Sequence, residues 1–64
     1  MSDFKERLEI ELSELVKKST KLEAFLGSEK IHSVDEHQNN LLHIQFSAML
    51  TYVACLTARL ELLK

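Results

Sequence analysis

The apolar residues in the first half of the chain recur with the period of an α-helix. They are spaced alternately by four and three residues, with Ser19 in the one vacant place: Leu8, Leu12, Leu15, Leu22 and Leu26. This spacing lines them along one helical face. Gly27, the single glycine of the chain, follows directly and suits the left-handed residue that ends many helices. The pattern predicts a first helix near residues 3–26.

A second helix is predicted after a short connection. Residues 27–33 have a length usual between antiparallel neighbouring helices, and Ser33 with Glu36 has the spacing of a capping box at a helix start. The second helix then covers about residues 34–63, or about 45 Å, against about 36 Å for the first. The chain is predicted to be one all-α domain over residues 1–64, an antiparallel two-helix hairpin in which one end of the second helix projects.

The second helix carries two apolar seams side by side. The first seam is uninterrupted and contains Leu42, Phe46, Met49, Val53, Leu56, Leu60 and Leu63. The second seam contains Leu41, Ala48, Tyr52, Cys55 and Leu62, and is broken by Gln45 and Arg59. One seam matches one partner helix, so the first helix covers only one of them. An uncovered seam exceeds the apolar patch usual on a soluble monomer, which favours a symmetric homo-oligomeric helical bundle.

Charged residues are absent from His37 to Ala58, although 28% of the chain is charged. Polar side chains recur through this segment, which distinguishes it from a membrane span, and the charge-alternating N-terminus does not resemble a signal peptide. We therefore expect a cytoplasmic protein without membrane contact. A formal net charge of −2 provides no general attraction to DNA or RNA.

A chain of 64 residues needs help to stay folded, because it buries only about 60% of the surface that its unfolded form exposes. Cys55 is the single cysteine, which excludes an internal disulfide, and it suits a small buried position. His32, His37 and His43 lack partners at the spacings of a zinc site. No metal or cofactor is expected, and oligomerisation is the remaining source of stability.

The residues Lys17 to Lys21 form the densest cluster of candidate ligand-binding groups. Three ammonium groups and the hydroxyls of Ser19 and Thr20 fall within about one and a half turns, where charge-assisted hydrogen bonds to phosphate are possible. The alternative is a solvated helix face on which Glu14 pairs with Lys17 or Lys18.

Three further side chains have two interpretations each. Phe4 can stack on a nucleobase or pack against the leucines that end the second helix. Arg59 can bind an anion, alone or with symmetry copies, or pair with Glu9, Glu11 or Glu61. Tyr52 is more typical of a core tyrosine than of a ligand contact. No arrangement of a nucleophile with a base is recognisable, so an enzyme is not expected.

Three segments carry a resemblance to small phage-encoded two-helix proteins. They are Asp-Phe-Lys-Glu-Arg-Leu at 3–8, Lys-Leu-Glu-Ala-Phe-Leu at 21–26 and Leu-Leu-His-Ile-Gln-Phe-Ser-Ala-Met-Leu-Thr-Tyr at 41–52. The chain resembles the family named after a crAss-like phage protein and the anti-CBASS and anti-Thoeris hairpin proteins. The resemblance implies a compact homohexamer that binds cyclic di- or trinucleotide immune signals, or related cyclic nucleotides, without cleaving them. It also implies ligand contacts from Phe4, which replaces a tyrosine of that family, and from Lys18, Thr20 and Arg59.

The sequence therefore leads to two hypotheses of different classes. The first is a phage anti-defence sponge that sequesters a cyclic nucleotide signal in the host cytoplasm. The second is a small oligomeric helical module that binds a host or phage protein through its apolar surface.

Overall fold

Two antiparallel α-helices account for most of the described residues. The computed structural model describes residues 3–63, in which α1 spans Asp3–Leu26 and α2 spans Glu36–Glu61. A short 3-10 helix, Glu29–Ser33, lies in the connection, and this described part of the chain contains no strand. The molecule is a rod with principal extents of 48 × 14 × 13 Å. The predicted all-α hairpin is confirmed, with α1 in the predicted range.

The second helix is shorter at both ends than the predicted range of 34–63, and its predicted cap is wrong. Asp35 is the N-cap, and its carboxylate accepts hydrogen bonds from the backbone N–H groups of His37 and Gln38 at 3.1 and 3.4 Å. Ser33 ends the 3-10 helix, where its hydroxyl donates to the carbonyl of Lys30 at 2.9 Å. Asp35 directly precedes the first residue of α2, whereas Ser33 lies three residues before it, so the Asp35 side chain is the one that reaches the free N–H groups of the first turn.

Gly27 does not adopt the left-handed conformation that the sequence suggested. No glycine within residues 3–63 has a positive φ. Its N–H continues the helical pattern by donating to the carbonyl of Glu23 at 3.1 Å, and the hydroxyl of Ser28 donates to the carbonyl of Phe25 at 2.8 Å. The backbone N–H of Ser28 also donates to the carbonyl of Phe25, at 3.1 Å. Because these groups satisfy carbonyls at the helix end, a left-handed residue is not required there.

The core lies between the leucine stripe of α1 and the first seam of α2. Leu8, Leu15 and Leu56 are buried, and partly buried side chains pack against them: Leu12, Met49, Val53 and Leu60. Ser19 is also buried, and its hydroxyl donates to the carbonyl of Val16 at 3.0 Å, which satisfies the group within its own helix. The first seam is therefore the face of α2 that α1 covers.

The second seam is exposed along its whole length. Leu62 is 84% exposed and Leu41 58%, while Ala48, Tyr52 and Cys55 are also accessible. Interpretations of Tyr52 as a core residue and of Cys55 as a buried one are therefore wrong for the single hairpin. Ile44, beside this seam, is 64% exposed. The seam is left open because a lone helix can cover only one stripe of its neighbour.

The exposed apolar residues of α2 also bear on the membrane prediction. Helix Glu36–Glu61 is long and apolar enough to cross a membrane by length and composition, and little of it is buried in the hairpin. A helix that packs into a soluble bundle can meet the same criteria. The expectation that this segment stays outside the membrane remains a prediction.

Candidate functional site

The sequence-predicted residues Phe4 and Arg59 lie together at one end of the hairpin. Phe4 is in the first turn of α1, and Arg59 is in the last turn of α2. The antiparallel arrangement places the guanidinium carbon of Arg59 5.8 Å from the centroid of the Phe4 ring. This is cation–π distance. The hairpin therefore brings the ring and the guanidinium together from opposite ends of the sequence.

A shallow depression of about 300 Å³ surrounds this pair. Its walls come from Phe4, Arg7, Leu8, Glu11 and Arg59. The charged lining comprises two guanidinium groups and one carboxylate. Guanidinium groups can each donate two parallel hydrogen bonds to a phosphate. The depression thus offers an anion site beside an aromatic ring that is 55% exposed.

Arg7 and Glu11 line the depression, although no sequence pattern indicated them as ligand contacts. The Nε group of Arg7 donates to the carbonyl of Asp3 at 3.4 Å, which anchors the side chain near the start of α1. Glu11 accepts a hydrogen bond from the hydroxyl of Tyr52. The signal that could have found them is the helical spacing from Phe4, since residues three and seven further along α1 face the same side of the helix.

The Tyr52 hydroxyl holds the Glu11 carboxylate at the edge of the depression. The hydrogen bond to Glu11 raises the pKa of Tyr52 above its usual value of 10.0, and desolvation and the negative charge of Glu11 act in the same direction. The nearby positive charge of Arg59 lowers it. Of the three carboxylates considered as partners for Arg59, Glu11 is the one that lines the same depression.

Lys18 and Thr20, the other two predicted ligand residues, lie away from this depression. Lys18 follows Phe4 by 14 residues, or about 21 Å along the helix axis. Both side chains are exposed, but they are two residues apart and so point about 200° away from each other around α1. One chain therefore does not gather Phe4, Lys18, Thr20 and Arg59 into one site.

The predicted phosphate-binding cluster at Lys17–Lys21 does not lie on one face of α1. Ser19 faces the core and its hydroxyl is used by the carbonyl of Val16, so the expectation of two available hydroxyls is wrong. The three lysines and Thr20 remain exposed. Within residues 3–63, no group of three or more His, Cys, Asp or Glu side chains could hold a metal ion.

A comparison with known protein families decides what kind of chain this is. The family model described as Sequestin matches residues 2–62. The chain belongs to the Sequestin family. The name of the family is consistent with sequestration and fits the sponge-like phage proteins that the sequence resembles. No curated protein and no solved structure matches this Sequestin-family chain.

Proposed function

We propose that this Sequestin-family chain is a phage anti-defence sponge that binds cyclic nucleotide immune signals and holds them intact. It is not an enzyme in this proposal, and it acts in the cytoplasm of the host cell. The depression formed by Phe4, Arg7, Glu11 and Arg59 is the observation that carries the proposal. The Sequestin match supports the sequestering part of it.

The lining of the depression corresponds to the parts of a cyclic nucleotide. Each such ligand combines phosphodiester anions with flat bases in a small ring. Arg7 and Arg59 provide guanidinium groups for a phosphate, and the exposed Phe4 ring provides a stacking surface worth about 1–3 kcal/mol per base in single-strand binders. The Glu11 carboxylate adds an acceptor for base N–H groups.

The proposed functional form is a homo-oligomer. The resemblance to the anti-CBASS proteins implies a hexamer. The exposed second seam of α2 supports an oligomer, because assembly would bury apolar side chains that a single hairpin leaves in water. In an isologous interface every residue is present twice, which suits the near two-fold symmetry of a cyclic dinucleotide. Lys18 and Thr20 can then join the pockets of neighbouring copies, since they point in different directions.

Calorimetry with a panel of cyclic dinucleotides, cyclic trinucleotides and cyclic ADP-ribose isomers tests the proposal. We expect saturable binding of at least one member at micromolar protein. Mass spectrometry of the ligand released by heat should return the unchanged mass, because the proposed sponge holds its ligand without cleaving it. The absence of binding across the panel would refute the sponge.

A charge reversal separates the sponge from the alternative of a protein-binding module. Lys18→Glu should abolish cyclic nucleotide binding while the oligomer survives, because Lys18 is exposed and lies off the leucine stripe. Lys30→Glu, which reverses an exposed lysine in the connection, is the matched control and should bind normally. A protein-binding module would instead retain a host or phage protein in a pull-down and be indifferent to Lys18→Glu.

A further inference from the structure

The second seam of α2 has the same order of residue types from either end. Leucines lie at its two ends, as Leu41 and Leu62, and long polar side chains come next, as Gln45 and Arg59. All of these residues are exposed, as are the remaining members of the seam. An antiparallel copy of the seam therefore presents the same residue types at matching levels.

The middle of the second seam continues this symmetry. Ala48 and Cys55 are both small, and they lie four and three residues on either side of Tyr52. We propose that a second copy of this chain docks antiparallel on the second seam, about a two-fold axis that passes Tyr52. This places Leu41 beside Leu62 of the second copy, and Ala48 beside its Cys55. The inference rests on the assembly in the proposed function and adds its register.

Polar side chains select this register over its neighbours. Gln45 and Arg59 of opposite copies lie at the same level, so the amide oxygen can accept from the guanidinium. A shift of about half a heptad along the seam would place Arg59 beside Ala48 or Leu41 of the other copy, where a charge loses water without gaining an acceptor. Gln45 and Arg59, which interrupt the seam in one chain, thus contact each other between copies. The two-fold axis produces this contact twice.

The same axis completes the depression that one chain leaves partial. Within one chain Tyr52 contacts Glu11, and Arg59 contacts Phe4. A step of seven residues along α2 therefore corresponds to a step of seven residues back along α1. An axis at Tyr52 therefore crosses α1 near Glu11. Lys18 lies seven residues beyond Glu11, just as Phe4 lies seven residues before it. Lys18 of the second copy consequently reaches the level of Phe4 and Arg59 of the first.

This juxtaposition gives the site an excess of positive charge. Arg7, Arg59 and the second copy's Lys18 bring three positive charges to a depression that holds one carboxylate, Glu11. Like charges that are gathered in this way repel until an anion neutralises them. A phosphodiester that lies between the copies supplies that charge, so ligand binding and docking support each other in this arrangement.

Disulfide trapping tests the register directly. The variant Ala48→Cys, with the native Cys55 retained, should form an intermolecular disulfide under mild oxidation and run as a covalent dimer on a non-reducing gel. Ala58→Cys is the matched control. Residue 58 lies about 100° around α2 from Arg59 and therefore outside the second seam. An Ala48→Cys protein that cross-links no better than Ala58→Cys would overturn the register.

A charge series provides a second measurement that does not depend on oxidation. Gln45→Glu should strengthen self-association by about tenfold, and Gln45→Lys should weaken it by about tenfold or more, because each faces Arg59 of the other copy. Asn40→Lys, exposed and off the seam, should leave association unchanged in analytical ultracentrifugation. Equal effects of Gln45→Glu and Gln45→Lys would contradict the proposal even if cyclic nucleotides bind, whereas correct cross-linking without ligand binding would refute only the sponge.

Discussion

The guanidinium of Arg59 lies over the ring of Phe4, with 5.8 Å between the guanidinium carbon and the ring centroid. The two residues are almost as far apart in sequence as the chain allows, and both are exposed. A contact of this kind stabilises an exposed pair by about 0.5–1 kcal/mol. Its larger effect is to restrict the arginine, whose free side chain otherwise samples many rotamers.

Removal of the ring should therefore weaken ligand binding more than it weakens the fold. For Phe4→Ala we expect the affinity for the tightest-binding cyclic nucleotide of the panel to fall by about fivefold or more, because a stacking surface worth about 1–3 kcal/mol per base is lost. Phe4→Tyr keeps the ring and should retain the affinity. Calorimetry measures both variants. Equal affinities of Phe4→Ala and the native protein would show that the ring neither restrains Arg59 nor contacts the ligand.

The carboxylate of Glu11 should control the titration of Tyr52. Because the hydrogen bond to Glu11 raises the pKa of Tyr52 above 10.0, ultraviolet absorbance of the tyrosinate should appear at higher pH than in a model peptide. Glu11→Gln should move the transition back towards 10.0. Tyr52 is the only tyrosine of the chain, so the signal has one source.

The same shift makes part of the folding stability dependent on pH. Between the unfolded pKa near 10.0 and the higher folded pKa, the folded chain binds more protons than the unfolded chain, so stability falls as pH rises through this window. Below the unfolded pKa the contribution is complete. Thermal melts between pH 9 and 12 should show a steeper decline for the native protein than for Tyr52→Phe. Parallel declines would contradict the Glu11 contact.

The buried Leu56 should be the most sensitive position in the core. Its exposed fraction is 0%, and truncation of such a leucine to alanine costs about 2–5 kcal/mol. Leu56→Ala is therefore expected to unfold much of this small protein at room temperature. Ile10→Ala, at a position that is 57% exposed, should change the free energy of unfolding by less than about 0.5 kcal/mol. Urea denaturation followed by circular dichroism compares the two.

The N-cap of α2 can be assigned by two alanine substitutions. Asp35→Ala removes the acceptor for two backbone N–H groups and should cost about 0.5–2 kcal/mol of unfolding free energy. Ser33→Ala should have the smaller effect, because its hydroxyl donates to a carbonyl of the 3-10 helix and accepts from none of the free groups of α2. A larger loss of unfolding free energy for Ser33→Ala than for Asp35→Ala would support the predicted capping box of Ser33 and Glu36 instead.

A stabilising substitution is available at Gly27. A Cβ atom there would meet only the carbonyl oxygens of Glu23 and Ala24, at 3.7 and 4.0 Å, which is ordinary van der Waals contact. Since φ is not positive, Gly27→Ala should stabilise the protein by about 0.4–1 kcal/mol through a less flexible unfolded chain. A lower melting temperature would show that the residue adopts the left-handed conformation in solution.

The helices and the face that packs between them were predictable from the sequence, because a regular spacing of leucines determines which face is buried. Leu8, Leu15 and Leu56 illustrate this, since each belongs to a predicted stripe. The cap was not predictable, because Ser33 and Asp35 both precede α2 and differ only in which side chain reaches the free N–H groups. Gly27 shows a similar limit, since glycine permits a left-handed conformation without requiring it.

Part of the candidate site was also accessible from the sequence. Phe4 and Arg59 were singled out, and the hairpin brings them together, but the contribution of Glu11 appears only when Tyr52 is placed opposite it. Lys18 and Thr20 illustrate the reverse case. Two residues close in sequence suggested one cluster, yet helical geometry separates their side chains around α1.

The exposed second seam links the folding of this chain to its abundance. If a copy of the chain covers Leu41 and Leu62, free energy from assembly adds to that of the hairpin and grows with protein concentration through mass action. A dilute chain is then a marginal hairpin with partial sites, and a concentrated one is a stable assembly with complete sites. A sequestering protein neutralises its ligand molecule for molecule, so it is useful only when abundant. The midpoint of thermal unfolding should accordingly stay constant at low protein concentration and rise once that concentration exceeds the dissociation constant of the assembly, which is the concentration at which the proposed sites become complete.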